Sequence, residues 1–254
     1  DVGTNSQIMD WMMDEYNLIN NDHIKSVITG KSPDCGGSLG RQEATGRGVG
    51  VILHEIVKEN NQDIIFIKLE GFGNVGYHFV EYLQGLNHNE TSLYILNSLS
   101  DHTGHYQINY HTMEKYDIIQ MMDLVMNYQR EYRSLKGIEI DLDFCEKINH
   151  VDYLMIQCDF FIPAALELTI HEEEAKIVNC NYILEGSNGP ISYEAEEILK
   201  KRNLQIIPDI LCNSGGVVVS YFEWIQNRTN ETWSKDKVLS LLDSRMIECY
   251  EKIK

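Results

Sequence analysis

An α/β fold, a doubly wound and largely parallel sheet with flanking helices, is what this 254-residue sequence predicts. Three observations carry the prediction. Short apolar runs suited to buried strands occur at 64–69 (IIFIKL) and 92–98 (SLYILNS), and recur within 153–165, 179–190 and 204–227. Stretches of helical periodicity alternate with them, which is the rhythm of βαβ units. Residues 69–79, LEGFGNVGYHF, set Gly71, Gly73 and Gly76 at G-x-G-x-x-G spacing between a strand and a helix.

The bulk composition narrows the function. With 39 acidic against 21 basic residues the formal net charge is -18, which argues against binding a nucleic-acid backbone along a broad surface. No apolar run approaches the roughly 20 residues that cross a bilayer, so no membrane association is expected and the chain reads as soluble and cytoplasmic, with the mitochondrial matrix as the alternative. The six cysteines form no C-x-x-C pair and are expected to be reduced thiols in or near the core. His102 and His105 lack a second ligand pair at zinc spacing, so no metal site is expected.

Along the chain, Thr4 is placed to cap a first helix with Ile8, Met12, Tyr16 and Ile19 on one face, and Met9, Met12 and Met13 read as core. Residues 28–41, rich in Gly, Pro and Ser, read as a loop. A second helix is predicted over 44–60 with Val49, Ile52, Leu53, Ile56 and Val57 inward. Gly46, Gly48 and Gly50 weaken that helix by about 1 kcal/mol each relative to Ala. They imply close approach by a ligand or backbone, or tight helix packing. After the strand at 64–69 the glycine turn leads into a helix marked by Val75, Phe79, Val80 and Leu83.

That context is what a dinucleotide-binding turn requires. Gly71 makes the turn, Gly73 lets a pyrophosphate approach the backbone, and Gly76 packs helix on strand, with the phosphates at a helix N-terminus where free N–H groups point. The fold expects an acid near the end of the next strand to hold ribose hydroxyls. Asp101 is the candidate, with Ser98 or Ser100 as substitutes, so NAD and NADP both stay open. A further helix runs through Met113, Tyr116, Ile119, Met122 and Met126, and the chain closes on an amphipathic helix bearing Val238, Leu241, Leu242, Met246, Cys249, Tyr250 and Ile253.

Five blocks in order, DVGT (1–4), GGSLGRQEATGRG (36–48), GFGNVG (71–76), EGSNGP (185–190) and PDILCNSGGVVVSYFEWIQN (208–227), resemble the glutamate dehydrogenase family. The match is poor between about Gln84 and Phe160. The resemblance implies a Rossmann-like domain over 36–227, with 1–35 an edge of a substrate domain plus a linking helix, and 228–254 a C-terminal helix. It also implies a fragment, since the family's catalytic lysines lie upstream of its DVGT block, and hence no turnover by these residues alone.

The implied activity is reversible oxidation of L-glutamate to 2-oxoglutarate and ammonia with NAD or NADP, in a homo-oligomer, a hexamer by family resemblance. Asp1 matches the proton-transfer carboxylate. Coenzyme contacts fall on Thr45, on Gly71, Phe72, Gly73, Asn74, Val75 and Gly76, and on Asp101, Ala164, Ala165, Asn188 and Asn213. Arg41, Val217 and Ser220 match substrate-binding positions. Glu70 stands where glutamine is common, and Leu168 where a polar side chain is usual. A leucine, phenylalanine or valine dehydrogenase is the enzymatic alternative, and a non-catalytic nucleotide-binding protein the other; Ser220 favours glutamate, because a buried hydroxyl suits a carboxylate.

Overall fold

The computed structural model of the chain describes residues 3–110 and 114–254. Strands β1 (Ile64–Glu70), β2 (Leu93–Asp101), β3 (Gly104–Ile108), β4 (Cys145–Ile148), β5 (Phe160–Pro163), β6 (Tyr182–Leu184) and β7 (Gln205–Ile207) form one sheet in the order β4-β3-β2-β1-β5-β6-β7. Helices α1 (Ser6–Asn20) and α2 (Ala44–Asn60) precede it, and α3 (Asn74–Asn89) joins β1 to β2. Between β3 and β4 lie α4 (Lys115–Tyr132) and α5 (Ile138–Asp141). Crossovers α6 (His150–Met155), α7 (Glu172–Ile177) and α8 (Tyr193–Lys201) lead into β5, β6 and β7 in turn. The chain then continues through α9 (Asp209–Cys212), α10 (Gly215–Thr229) and α11 (Lys235–Ile253).

The sheet is mixed, because β3 runs antiparallel to both β2 and β4 while the other neighbours pair in parallel. Strand order reverses between β1 and β5, so a crevice opens beyond their C-terminal ends, where ligands bind in such sheets. One face carries Ile65, Ile67, Leu69, Leu96, Phe160 and Ile162, packed under α2, α3, α4 and α11. The other carries Phe161 and Ile183 under α6, α7 and α8.

Helix α2 spans the predicted residues, and its five predicted inward side chains are all buried. Its glycines serve packing. A Cβ on Gly46 would lie 2.3 Å from the Val75 carbonyl oxygen and 2.6 Å from Phe79 N, and one on Gly50 would lie 2.3 Å from the Tyr82 ring. Gly48 lies against Gly215 at the start of α10. Neighbouring helices, and no ligand, occupy the space those side chains would fill.

Other expectations are corrected. Asn5, rather than Thr4, caps α1, its side chain accepting from Ile8 N at 3.1 Å. Met12, Tyr16 and Ile19 are exposed, while Asp10 and Met13 are buried. Periodicity shows an apolar stripe without showing what covers it, and α1 turns inward the side on which Asp10 accepts from Ser32 N at 3.0 Å. Strand β2 runs three residues past its predicted end, and the start of the apolar stretch at 153 belongs to α6. Tyr116 is exposed, as are Leu241 and Ile253. Met113 lies outside the described residues. All six cysteines are free thiols, with Cys145, Cys158 and Cys212 buried. No helix among the described residues is long and apolar enough to cross a membrane.

Packing at α2 leads to a paired prediction. Gly46→Ala should lower stability to urea by about 1–3 kcal/mol despite its better helix propensity. Gly85→Ala, in α3 with nothing within 4 Å of its would-be Cβ, should raise it by about 0.5–1 kcal/mol. Equal effects at the two sites would show that propensity, and not contact, governs these glycines.

Candidate functional site

The turn between β1 and α3 assigns each glycine a different task. Gly71 has φ +90°, and a Cβ there would meet the backbone of Ala165 at 2.7 Å. Its N–H donates to the Ser100 carbonyl at 2.9 Å, and Ala164 N donates to the Glu70 carbonyl at 2.7 Å. The turns after β1 and β5 are therefore locked together. Gly76 is equally constrained, since a Cβ on it would sit 2.1 Å from the Gly71 oxygen. Gly73 alone of the three has nothing within 4 Å of a would-be Cβ.

Gly73 is also the N-cap of α3. It supplies no side-chain acceptor, and no acid stands in the first turn, so the leading N–H groups of α3 lack an intrahelical or capping partner among the described residues. Asn74 ties this end down by donating through Nδ2 to the Gln42 carbonyl at 2.9 Å. Phe72 is buried and contributes its backbone: Gln129 Nε2 donates to its carbonyl at 2.6 Å. A cleft of about 390 Å³ opens beside Gly73 and Asn74, walled by Tyr77, Gln129, Arg130 and Arg133. Gln129 Oε1 is buried there without a partner among the described residues. Bare N–H groups, an open glycine and an orphaned acceptor fit a phosphate-bearing, hydroxyl-rich ligand such as a dinucleotide.

Sequence reasoning missed Gln129, Arg130 and Arg133. They lie at the end of α4, in the stretch that matches poorly, and their only signal was the polar run NYQREYR after a buried methionine face. Arg130 donates through Nε and Nη2 to the Tyr77 hydroxyl at 3.0 and 2.7 Å.

Asp101 is engaged by its own hairpin and by the segment after α4. Its Oδ1 accepts from the Thr103 N–H and hydroxyl, closing the β2–β3 hairpin, and its Oδ2 accepts from Leu135 N at 2.7 Å. Ser98 and Ser100, the substitutes, are buried. Strand β3 was not foreseen, and its tight turn engages the Asp101 carboxylate.

On the far side of the crevice, Asn213 Nδ2 donates to Asn188 Oδ1 at 2.8 Å, joining the turn after β6 to the approach of α10. Gly189 N donates to Asp209, which fixes the same turn. Glu185, at the end of β6, accepts from Asp209 N at 2.9 Å. Burial, helped by the nearby Asp209 and Glu196 charges, pushes its carboxyl up to about 7. Glu70 is likewise raised by burial, and accepts from the Thr169 hydroxyl at 3.0 Å. Leu168 adopts φ +52°, a left-handed conformation that asparagine or glycine takes more easily.

Arg41, Thr45 and Ser220 meet where α2 and α10 begin. Arg41 Nε donates to Ser220 Oγ at 3.0 Å, and a Cβ on Gly216 would lie 2.6 Å from Thr45 Oγ1 and 3.3 Å from Arg41 Nη1. Burial lowers the Arg41 pKa, and Glu223 opposes that effect. Val217 is 73% exposed and faces outward from the first turn of α10. Asp1 lies outside the described residues. Among the described residues, no group of three or more His, Cys, Asp or Glu is placed to hold a metal ion.

Fold and turn together define a dinucleotide-binding α/β unit. The chain belongs to the glutamate/leucine/phenylalanine/valine dehydrogenase family, whose model matches residues 36–254. It is 35% identical over 262 residues to an NADP-specific glutamate dehydrogenase of Synechocystis sp., covering all of this chain and 58% of that protein. It is also 35% identical over 255 residues to the cryptic catabolic NAD-specific glutamate dehydrogenase GudB of Bacillus subtilis, covering 55% of it. The crystal structure of the Peptoniphilus asaccharolyticus glutamate dehydrogenase superposes with a TM-score of 0.73 at 30% identity, over 98% of this chain and 55% of that one. The chain thus spans little more than half the length of these relatives.

Gly73→Val should weaken titrated NAD or NADP by tenfold or more, since its side chain would enter the space above the α3 N-terminus, while leaving the melting temperature unchanged. Undiminished binding would place the pyrophosphate elsewhere. The raised Glu185 carboxyl adds a pH signature. Its folded pKa exceeds the ordinary 4.5, so the stability of its protonated form is complete below about pH 4.5 and is lost as pH rises through about 7. Glu185→Gln should therefore gain melting temperature relative to the parent between about pH 5 and pH 8. A pH-independent difference would show that Glu185 stays ionised.

Proposed function

We propose that this chain is the coenzyme-binding part of an NAD(P)-dependent glutamate dehydrogenase that oxidises L-glutamate to 2-oxoglutarate and ammonia. The observation that carries the reading is the division of labour among Gly71, Gly73 and Gly76, which leaves one open position over an uncapped helix N-terminus. When bound, the nicotinamide dinucleotide supplies the hydride acceptor. The residues of this chain bind and orient: Asn74 to Gly76 receive the pyrophosphate, and the Asn188–Asn213 pair holds the nicotinamide end with Ala164 and Ala165 at the crevice floor.

Arg130 and Arg133 beside the turn, with Asp101 engaged by the hairpin, favour NADP, because guanidinium groups suit a ribose 2′-phosphate. Ser220 supports glutamate as substrate. Its oxygen accepts from Arg41, so its own proton remains to be donated to a carboxylate, and Arg41 adds charge beside it. Trp11, Leu18 and Ile19 on α1 are exposed, which supports burial against further protein in a homo-oligomer or against a substrate domain.

Calorimetric titration of the 254-residue chain should show NADP binding more tightly than NAD, with the advantage lost in Arg133→Ala; equal affinities would remove the arginines from the reading. In a form that turns over glutamate, Ser220→Val should lower kcat/KM for glutamate by about 10- to 100-fold, the worth of one hydrogen bond to a charged group, while activity on leucine holds or rises. Equal loss on both substrates would make Ser220 a structural residue.

A further inference from the structure

Lys68, on β1, is an ammonium with no exposed surface. Its Nζ donates to the carbonyls of Leu154 and Ile156 at 2.7 and 2.8 Å, and it lies 5.5 and 5.7 Å from the ring centres of Tyr153 and Phe161. Carbonyl dipoles and rings moderate a buried charge without neutralising it. The ionisable groups that act on it are two thiols, Cys158 and Cys180.

Those thiols are neighbours by topology. Strands β5 and β6 pair in parallel from Phe160 and Tyr182 onward, and the segments leading into them carry Cys158 and Cys180. These segments touch ahead of the paired strands: Cys158 N and its thiol donate to the carbonyl of Asn179, the residue before Cys180, at 3.2 and 3.5 Å, and Asn181 N donates to the Asp159 carbonyl at 3.1 Å. Adjacent strands lie about 4.8 Å apart, inside the roughly 4.4–6.8 Å Cα separation that disulfides span. Both cysteines pack into the cluster beneath α6, α7 and α8, with Cys158 buried and Cys180 part-exposed.

Burial opposes ionisation of Cys158, yet a hydrogen bond from the Cys180 thiol and the Lys68 charge bring its pKa below the ordinary thiol value. Cys180, the donor in that bond, is pushed up. Burial lowers the Lys68 pKa and the two sulfurs oppose that effect; the coenzyme and substrate positions use none of these three residues.

We propose that Cys158 and Cys180 form a reversible disulfide site, oxidised by hydrogen peroxide and reset by a dithiol. The Cys158 thiolate attacks one peroxide oxygen and the O–O bond breaks, giving a sulfenic acid and hydroxide. The Cys180 sulfur then displaces the sulfenic oxygen, which leaves with the thiol proton as water, and the hydroxide takes a proton from solvent. Two sulfurs lose two electrons and one peroxide becomes two waters. Cys180 at the partly open edge admits an oxidant of this size, and Lys68 raises the thiolate fraction that reacts.

The test is peptide mapping without reduction, after stoichiometric peroxide is added to the folded 254-residue chain and remaining thiols are alkylated. A Cys158–Cys180 cross-link should appear with four thiols still free, and dithiothreitol should restore all six. Cys180→Ser should yield no cross-link and a sulfenic acid on Cys158 that a cyclic diketone traps. Lys68→Met, if it folds, should slow the reaction by about tenfold or more. Oxidation spread evenly over the six cysteines, or a folded chain that forms no Cys158–Cys180 bond, would overturn the proposal, and the parent protein alone decides between these results.

Discussion

Close backbone contact at the start of α3 is the constraint on which the rest of the molecule depends. The α3 terminus is fixed from two sides. Gly71 and Gly76 bring the turn oxygen, the helix and the chain after β5 within distances that exclude a Cβ. Gly46 and Gly50 let α2 close over Val75, Phe79 and Tyr82 from the opposite direction. Any side chain at these positions would lift the helix and move its N–H groups. Gly73 escapes the constraint, which is why its freedom points to a ligand.

The same contact joins the two halves of the crevice. Gly48 meets Gly215, so α10 begins where α2 begins, and Gly216 makes room for Thr45 and Arg41. From there Arg41 reaches Ser220, while the buried Lys31–Glu223 pair at 2.6 Å, with Glu223 also accepting from Gly30 N at 3.0 Å, fastens residues 30–31 to α10. A buried pair of this kind gains little net stability, since desolvation offsets attraction, but breaking it leaves an unpaired charge, so it sets position. Residues far apart in sequence are thereby held together where α2 and α10 begin.

What was legible in the sequence follows from how local the physics was. The β1–turn–α3 unit and α2 could be read because glycine spacing and 3.6-residue periodicity are properties of short segments. The hairpin could not. Strands β3 and β4, GHYQI and CEKI, are short and mixed in polarity, and their pairing is a long-range choice that no local pattern announces. Missing them left out the hairpin bonds of Asp101 and hid Arg130 and Arg133, which reach the cleft because α4 returns over the turn. On α1 the failure was of another kind: Met12, Tyr16 and Ile19 form the expected stripe, yet nothing among the described residues covers it.

Amide hydrogen exchange of the 254-residue chain, with and without NADP, bears most directly on the claim that an open glycine over a bare helix end is the coenzyme site. The account predicts that slowing of exchange is greatest at Asn74, Val75 and Gly76, whose N–H groups gain phosphate partners. Binding of the coenzyme with exchange at those amides unchanged would contradict it.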